Sequence, residues 1–116
     1  MAFYIVVHHP DDPSPTRWAN DWDDEGLLRA ITTPRVVAAR CSLARDQGER
    51  LFVHRCAWGG VPPIICCSVQ VSEIQNIDRD TALVRFSEAK CVDAEPLMPA
   101  HQGQNSYDAP PPRGHE

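Results

Sequence analysis

Two apolar runs, residues 51–58 and 64–74, stand on either side of Gly59-Gly60 and Pro62-Pro63. Runs rich in Val, Ile, Phe and Cys favour extended backbone, and a Gly/Pro cluster between them reverses the chain. The centre of the chain is therefore expected to be an antiparallel hairpin, with the rest of a sheet built around it. In the longer run Val69, Val71 and Glu73 alternate with Ser68, Gln70 and Ser72, which predicts one drier and one wetter side.

The remaining elements follow from the same kind of reading. Residues 2–8 (Ala-Phe-Tyr-Ile-Val-Val-His) are almost continuously apolar, as a strand buried on both faces would be, and they stop at Pro10-Asp11-Asp12-Pro13. Trp18 and Trp22 fall at helical spacing, with Leu27 and Leu28 beyond, so a short helix is predicted around the tryptophans and another over residues 24–30. Thr33-Pro34 predicts a capped helix start, because the hydroxyl can accept a free amide and proline lacks the donor that would go unpaired. That helix is expected to reach Asp46, with Val37, Cys41 and Ala44 on one face and Gly48 ending it. Two further strands are predicted over residues 81–87 and 90–94. After Glu95 the chain is polar and rich in proline, with little to bury against its ordering entropy, and is read as a tail or an extended segment, packed locally, laid along the domain or held by a neighbour.

A chain of 116 residues has room for one core, which divides it into an α+β domain over residues 1–95 and a Pro-rich tail or extended segment over 96–116. Five cysteines, odd in number and set in apolar runs, predict buried reduced thiols. No run approaches the roughly 18 apolar residues of a membrane span, and no basic stretch precedes the first strand, so a cytoplasmic protein is expected. The net charge of −5 counts against non-specific nucleic-acid binding. Between residues 31 and 60, however, Arg35, Arg40, Arg45, Arg50 and Arg55 face only Asp46 and Glu49, whereas residues 1–30 are acidic. The five-residue spacing of those arginines scatters them around a helix, about 140° apart, and makes no stripe.

The order strand, loop, helix, strand, Gly/Pro turn, long strand, strand is that of small curved sheets. Thr33-Pro34, Ala39-Arg40, the run from Gly48-Glu49-Arg50 through Val53-His54-Arg55-Cys56, and Pro62-Pro63-Ile64-Ile65-Cys66-Cys67-Ser68-Val69-Gln70-Val71 resemble the EVE branch of the PUA-like superfamily. The first strand, from Tyr4 to His9-Pro10, is similar to that family's aromatic opening strand, and the resemblance covers most of residues 3–92. The chain departs from the family at Glu49, where a turn aspartate is usual, at Val53, where an aromatic residue precedes the histidine, and at Cys67, often glycine. The resemblance implies a small curved mixed β-barrel with two or three covering helices. It also implies recognition of a modified or flipped base, in DNA or RNA, or of a free nucleobase-like ligand, in a cleft at the end of the first strand. No cofactor is implied.

A planar ligand needs an aromatic wall and a few fixed donors and acceptors for its edge. Trp18, Trp22 and Trp58 are the candidate walls; Trp58 is favoured because it precedes Gly59-Gly60 at a strand end, and the other two also read as core anchors. His8, His9, Asn20, His54 and Arg55 are candidates for the edge, and Arg35 and Arg40 for phosphate. His8-His9 with Asp11-Asp12 has metal-ligand chemistry, but neighbours on a strand point to opposite faces, so no metal site is assigned. Glu88-Ala89-Lys90 with Asp11 is similar to metal-dependent nuclease sets, although nearly the whole domain separates the two parts. No cysteine sits at a recognisable catalytic turn, and no catalytic residue is assigned. The expectation is a non-enzymatic binding module. A protein-interaction domain whose Pro-rich tail docks a partner, and a small metal-dependent nuclease or amidohydrolase, are the alternatives.

Overall fold

The computed structural model describes residues 1–13, 18–100 and 103–114. Its elements are β1 (Ala2–Val7), β2 (Asn20–Trp22), β3 (Leu28–Pro34), α1 (Arg35–Asp46), β4 (Leu51–Arg55), β5 (Ile64–Asn76), β6 (Thr81–Ala94) and β7 (Ser106–Ala109). The strands form one mixed sheet in the order β2-β3-β6-β5-β4-β1-β7. Among the described strands only β1 and β4 pair in parallel, with Tyr4 beside Phe52 and Val6 beside His54. A parallel pair needs a long crossover, and β2, β3 and α1 supply it.

The central hairpin forms as expected, with Leu51 opposite Val69 and Val53 opposite Cys67. Two expectations of the barrel reading are corrected. Among the described residues there is one helix, not two or three, and the sheet keeps β2 and β7 as edges and so is not a closed barrel. No helix among the described residues is long and apolar enough to cross a membrane.

The helices predicted around the tryptophans and over residues 24–30 are instead a β-hairpin, with residues 14–17 outside the described part. Spacing of four suits a strand as well as a helix, and the turn chemistry decides. The Asp23 carboxylate accepts the backbone N–H groups of Glu25 and Leu27 at 2.8 and 2.9 Å, and Gly26 takes the positive φ of 79° that closes the turn. At α1 the predicted Thr33 cap is also overturned. Thr33 belongs to β3 opposite Ala82, Pro34 is the cap residue without a side-chain bond, and the Arg35 N–H donates to the Asp80 carbonyl at 3.0 Å. Gly48, at φ 66°, ends the helix as predicted, and the Glu49 N–H reaches back to the Ala44 carbonyl at 2.8 Å.

The two strands predicted over 81–87 and 90–94 are one strand, β6. It stays continuous by bending at Glu88 and Asp93, both at positive φ, where its register against β5 shifts. Arg50 fixes the first bend. Its Nη2 donates to the Ser68 carbonyl at 2.9 Å and the Glu88 carbonyl at 2.5 Å, and its Nε to the Ser68 hydroxyl at 3.1 Å.

Alternation along the strands makes two apolar faces. Phe3, Ile5 and Val7 of β1, Leu51 and Val53 of β4, and Val69 and Val71 of β5 pack with Val37, Ala38, Cys41 and Ala44 of α1. Ala2, Tyr4, Ile65 and Ala109 form a smaller cluster on the other side, bordered by Phe52, Val92, Ala94 and Tyr107. Part of the C-terminal segment packs against this second cluster. Strand β7 pairs antiparallel with β1, Tyr4 donates its hydroxyl to the Pro110 carbonyl at 2.6 Å, and Pro112 is fully buried.

Candidate functional site

The parallel ladder of β1 and β4 carries on past both strand ends, since the Cys56 N–H donates to the Val7 carbonyl at 2.9 Å. Cys56 and Ala57 are thereby set beside His8. On the other flank of β1, the Val6 N–H donates to the Asn105 carbonyl at 3.0 Å, which extends the β7 pairing and brings residues 103–105 alongside. From the far edge of the sheet, the Thr32 N–H donates to the Ala19 carbonyl at 2.8 Å and anchors the segment that carries Trp18 and Asn20. The two edges of the curled sheet therefore approach one another at the end of β1 without pairing.

Between them lies a cleft of about 360 Å³, lined by His8, Asp12, Trp18, Asn20, Cys56, Gln104 and Asn105 together with small and aliphatic neighbours. Its volume falls in the roughly 300–1,000 Å³ range of small-molecule sites. His8 Nδ1 lies 3.7 Å from the Asp12 carboxylate. Burial, and then the Asp12 carboxylate, push the Cys56 thiol pKa up, so Cys56 rests as a neutral thiol. A cleft with an indole, an imidazole, a carboxylate, three amide residues (Asn20, Gln104 and Asn105) and a protonated thiol is equipped to stack and to hydrogen-bond; a raised thiol pKa is the wrong direction for a nucleophile.

Of the residues singled out from the sequence, His8, Trp18 and Asn20 meet in this cleft. His9 does not. Its Nδ1 accepts the Asp11 N–H at 3.0 Å, and its ring stacks on Trp58 with centroids 5.6 Å apart, so Trp58 stands over His9, 37% exposed, and does not line the cleft. Trp22 packs against the helix-side core. Arg55 lines a different recess, an apolar groove of about 620 Å³ beside Val61, Pro62, Ile64, Leu97 and Met98. Arg40 is held by Glu49 at 3.1 Å and Asp108 at 3.9 Å and lies over the Phe3 ring, while Arg35 reaches the Arg79 carbonyl at 3.5 Å. Neither arginine lines the cleft.

His54 departs furthest from its expected place. Only 1% exposed, it sits in the second face with Nδ1 2.6 Å from the Tyr107 hydroxyl, and its Nε2 has no hydrogen-bond partner among the described residues. Burial lowers its pKa and keeps it neutral. Tyr107 in turn stacks on Tyr4 at 4.7 Å. His54 is thus part of the packing that holds β7.

Cys56, Asp12 and Asn105 were not singled out as site residues. Asn105 could have been found by noticing that Ser106-Tyr107-Asp108-Ala109 is a strand-compatible run with an aromatic residue inside a polar stretch. Among the described residues no group of three or more His, Cys, Asp and Glu side chains gathers as a metal site. Compared with protein-family models, with curated proteins and with solved structures, the chain gives no match.

Proposed function

We propose that the chain is a binding module, PUA-like in architecture, that takes a nucleobase or a similar planar heterocycle into the cleft at the end of β1. The observation that carries this reading is the convergence of Trp18, His8, Asn20 and Asn105, from three separate segments, on one recess of about 360 Å³. The indole offers a stacking face, and the amides offer the paired donor and acceptor that a base edge requires. The neutral Cys56 thiol favours binding over nucleophilic chemistry at that sulfur. With Arg35 and Arg40 away from the cleft, the reading favours a free base or nucleoside, or a single extruded base, over a long stretch of nucleic-acid backbone.

The test is a thermal-shift and fluorescence screen of bases, nucleosides and short oligonucleotides, with Trp18→Ala and Trp58→Ala alongside. Loss of one stacked base costs about 1–3 kcal/mol of binding; Trp18→Ala is expected to lose that much and Trp58→Ala almost none. Equal losses in both variants, or no binding by the parent chain, reject the proposal.

A further inference from the structure

Cys66 and Cys67 lie outside the cleft and play no part in the reading above. Adjacent residues of a regular strand point to opposite faces, yet these two share one. As β4 advances from Val53 to His54, its partners on β5 step from Cys67 to Ile65, which leaves Cys66 as an extra, bulged residue. Both side chains enter the helix-side core, and their sulfurs come within 3.8 Å of each other. Cys66 retains 9% exposure and Cys67 none. The Cys66 thiol donates to the Cys67 sulfur, a contact that pushes the Cys66 pKa up and the Cys67 pKa down, and the Arg55 guanidinium adds a smaller push toward thiolate at both.

We propose that Cys66 and Cys67 are a reversible dithiol–disulfide pair, oxidised by small peroxides. Cys67, which accepts the Cys66 S–H on their contact, attacks a peroxide oxygen as thiolate while Cys66 keeps its proton. The O–O bond breaks, one oxygen takes up the proton that Cys67 had released and leaves as water, and Cys67 becomes a sulfenic acid. Cys66 then attacks the Cys67 sulfur, the S–O bond breaks, and the hydroxide departs as a second water with the Cys66 proton. In total the thiols give up two electrons and two protons, and the peroxide takes them. The bulge makes ring closure accessible, because the sulfurs have to close only from 3.8 Å to about 2.05 Å. Adjacent Cα atoms, about 3.8 Å apart, are closer than the roughly 4.4 Å lower end of ordinary disulfides. The bond is therefore strained and easily reduced, as a reversible pair requires.

The test uses the full native chain, exposed to hydrogen peroxide, quenched with an alkylating reagent under denaturing conditions and mapped by peptide mass spectrometry. The expected product is a peptide carrying Cys66 and Cys67 that has lost two hydrogens, resists alkylation, and recovers both alkylation sites after treatment with dithiothreitol. Cys41, buried on the inner face of α1, stays fully alkylatable. Separate sulfinic acids at the two positions, links from either cysteine to Cys56 or Cys91, or a peptide left in its dithiol form each overturn the proposal. The parent chain alone decides the matter, so it does not depend on whether Cys66→Ser or Cys67→Ser folds.

Discussion

On the helix side of the sheet, Leu51, Val53, Val69 and Val84 meet Val37, Cys41 and Ala44 in an apolar cluster. Across the sheet, Tyr4, Tyr107 and His54 meet beneath the C-terminal segment, joined by a ring stack and two short hydrogen bonds. The first face is held by apolar area, which is non-directional and indifferent to pH. The second is held by oriented polar contacts, in which each buried donor or acceptor depends on one partner. It also continues directly into the cleft, because the segment that supplies Tyr107 supplies Asn105 two residues earlier. The face that sequence patterning finds easily is the scaffold, and the face it misses sets the position of the candidate site.

The contrast can be broken or sharpened by measurement. Leu51→Ala, at a fully buried position in the helix-side core, is expected to lower unfolding stability by about 2–5 kcal/mol through lost transfer energy and a residual cavity. Denaturant unfolding reads the loss, which should be the same at pH 6 and pH 8. Tyr107→Phe keeps the ring stack but removes the hydroxyl from His54 Nδ1, leaving the imidazole without its only described partner. The expected cost is about 1–3 kcal/mol, the penalty for a buried polar group left unpaired. An effect of Tyr107→Phe as small as that of an exposed substitution would erase the distinction between the faces.

The third prediction concerns pH. His54 has a pKa below its ordinary value of 6.5, because burial disfavours the imidazolium. Between the folded pKa and 6.5 the unfolded chain therefore binds a proton that the folded chain does not. Stability rises with pH across that window: it is fully present above 6.5 and declines as the solution is acidified toward the folded value. His54→Asn is expected to flatten that part of the profile, measured by denaturation midpoints from pH 5 to 8. The smallest effect belongs to the surface. Arg85 and Glu73 are both more than half exposed and 3.7 Å apart, so Arg85→Ala should change stability by no more than about 1 kcal/mol.

Much of the scaffold was legible because its signals are local. The Gly59-Gly60 and Pro62-Pro63 turn, the apolar runs of β1, β4 and β5, and the α1 face ending at Gly48 are each written within a few residues. Errors arose where tertiary pairing or side-chain chemistry outweighed periodicity. Asp23 turned an apparent helix into a hairpin by accepting two backbone amides. Arg50 supports a bend in β6 from a position 38 residues away in the chain, so two apparent strands are one. Strand β7 exists because the edge of β1 offers it a ladder and Tyr4 offers it a surface, neither of which shows in its own composition. Within the candidate site, His8, Trp18 and Asn20 were legible as residue types suited to a flat ligand. The removal of His54, Trp58, Arg35 and Arg40 from that group follows from strand alternation and from partners that only the folded chain brings close.

The most direct measurement of the binding claim is a nitrogen–proton amide spectrum of the chain titrated with free nucleosides. The account predicts saturable shifts at His8, Asn20, Cys56 and Asn105, while Leu51 and Ala44 in the helix-side core stay still. Shifts confined to the groove of Val61, Ile64, Leu97 and Met98, or no shifts at millimolar nucleoside, would contradict it.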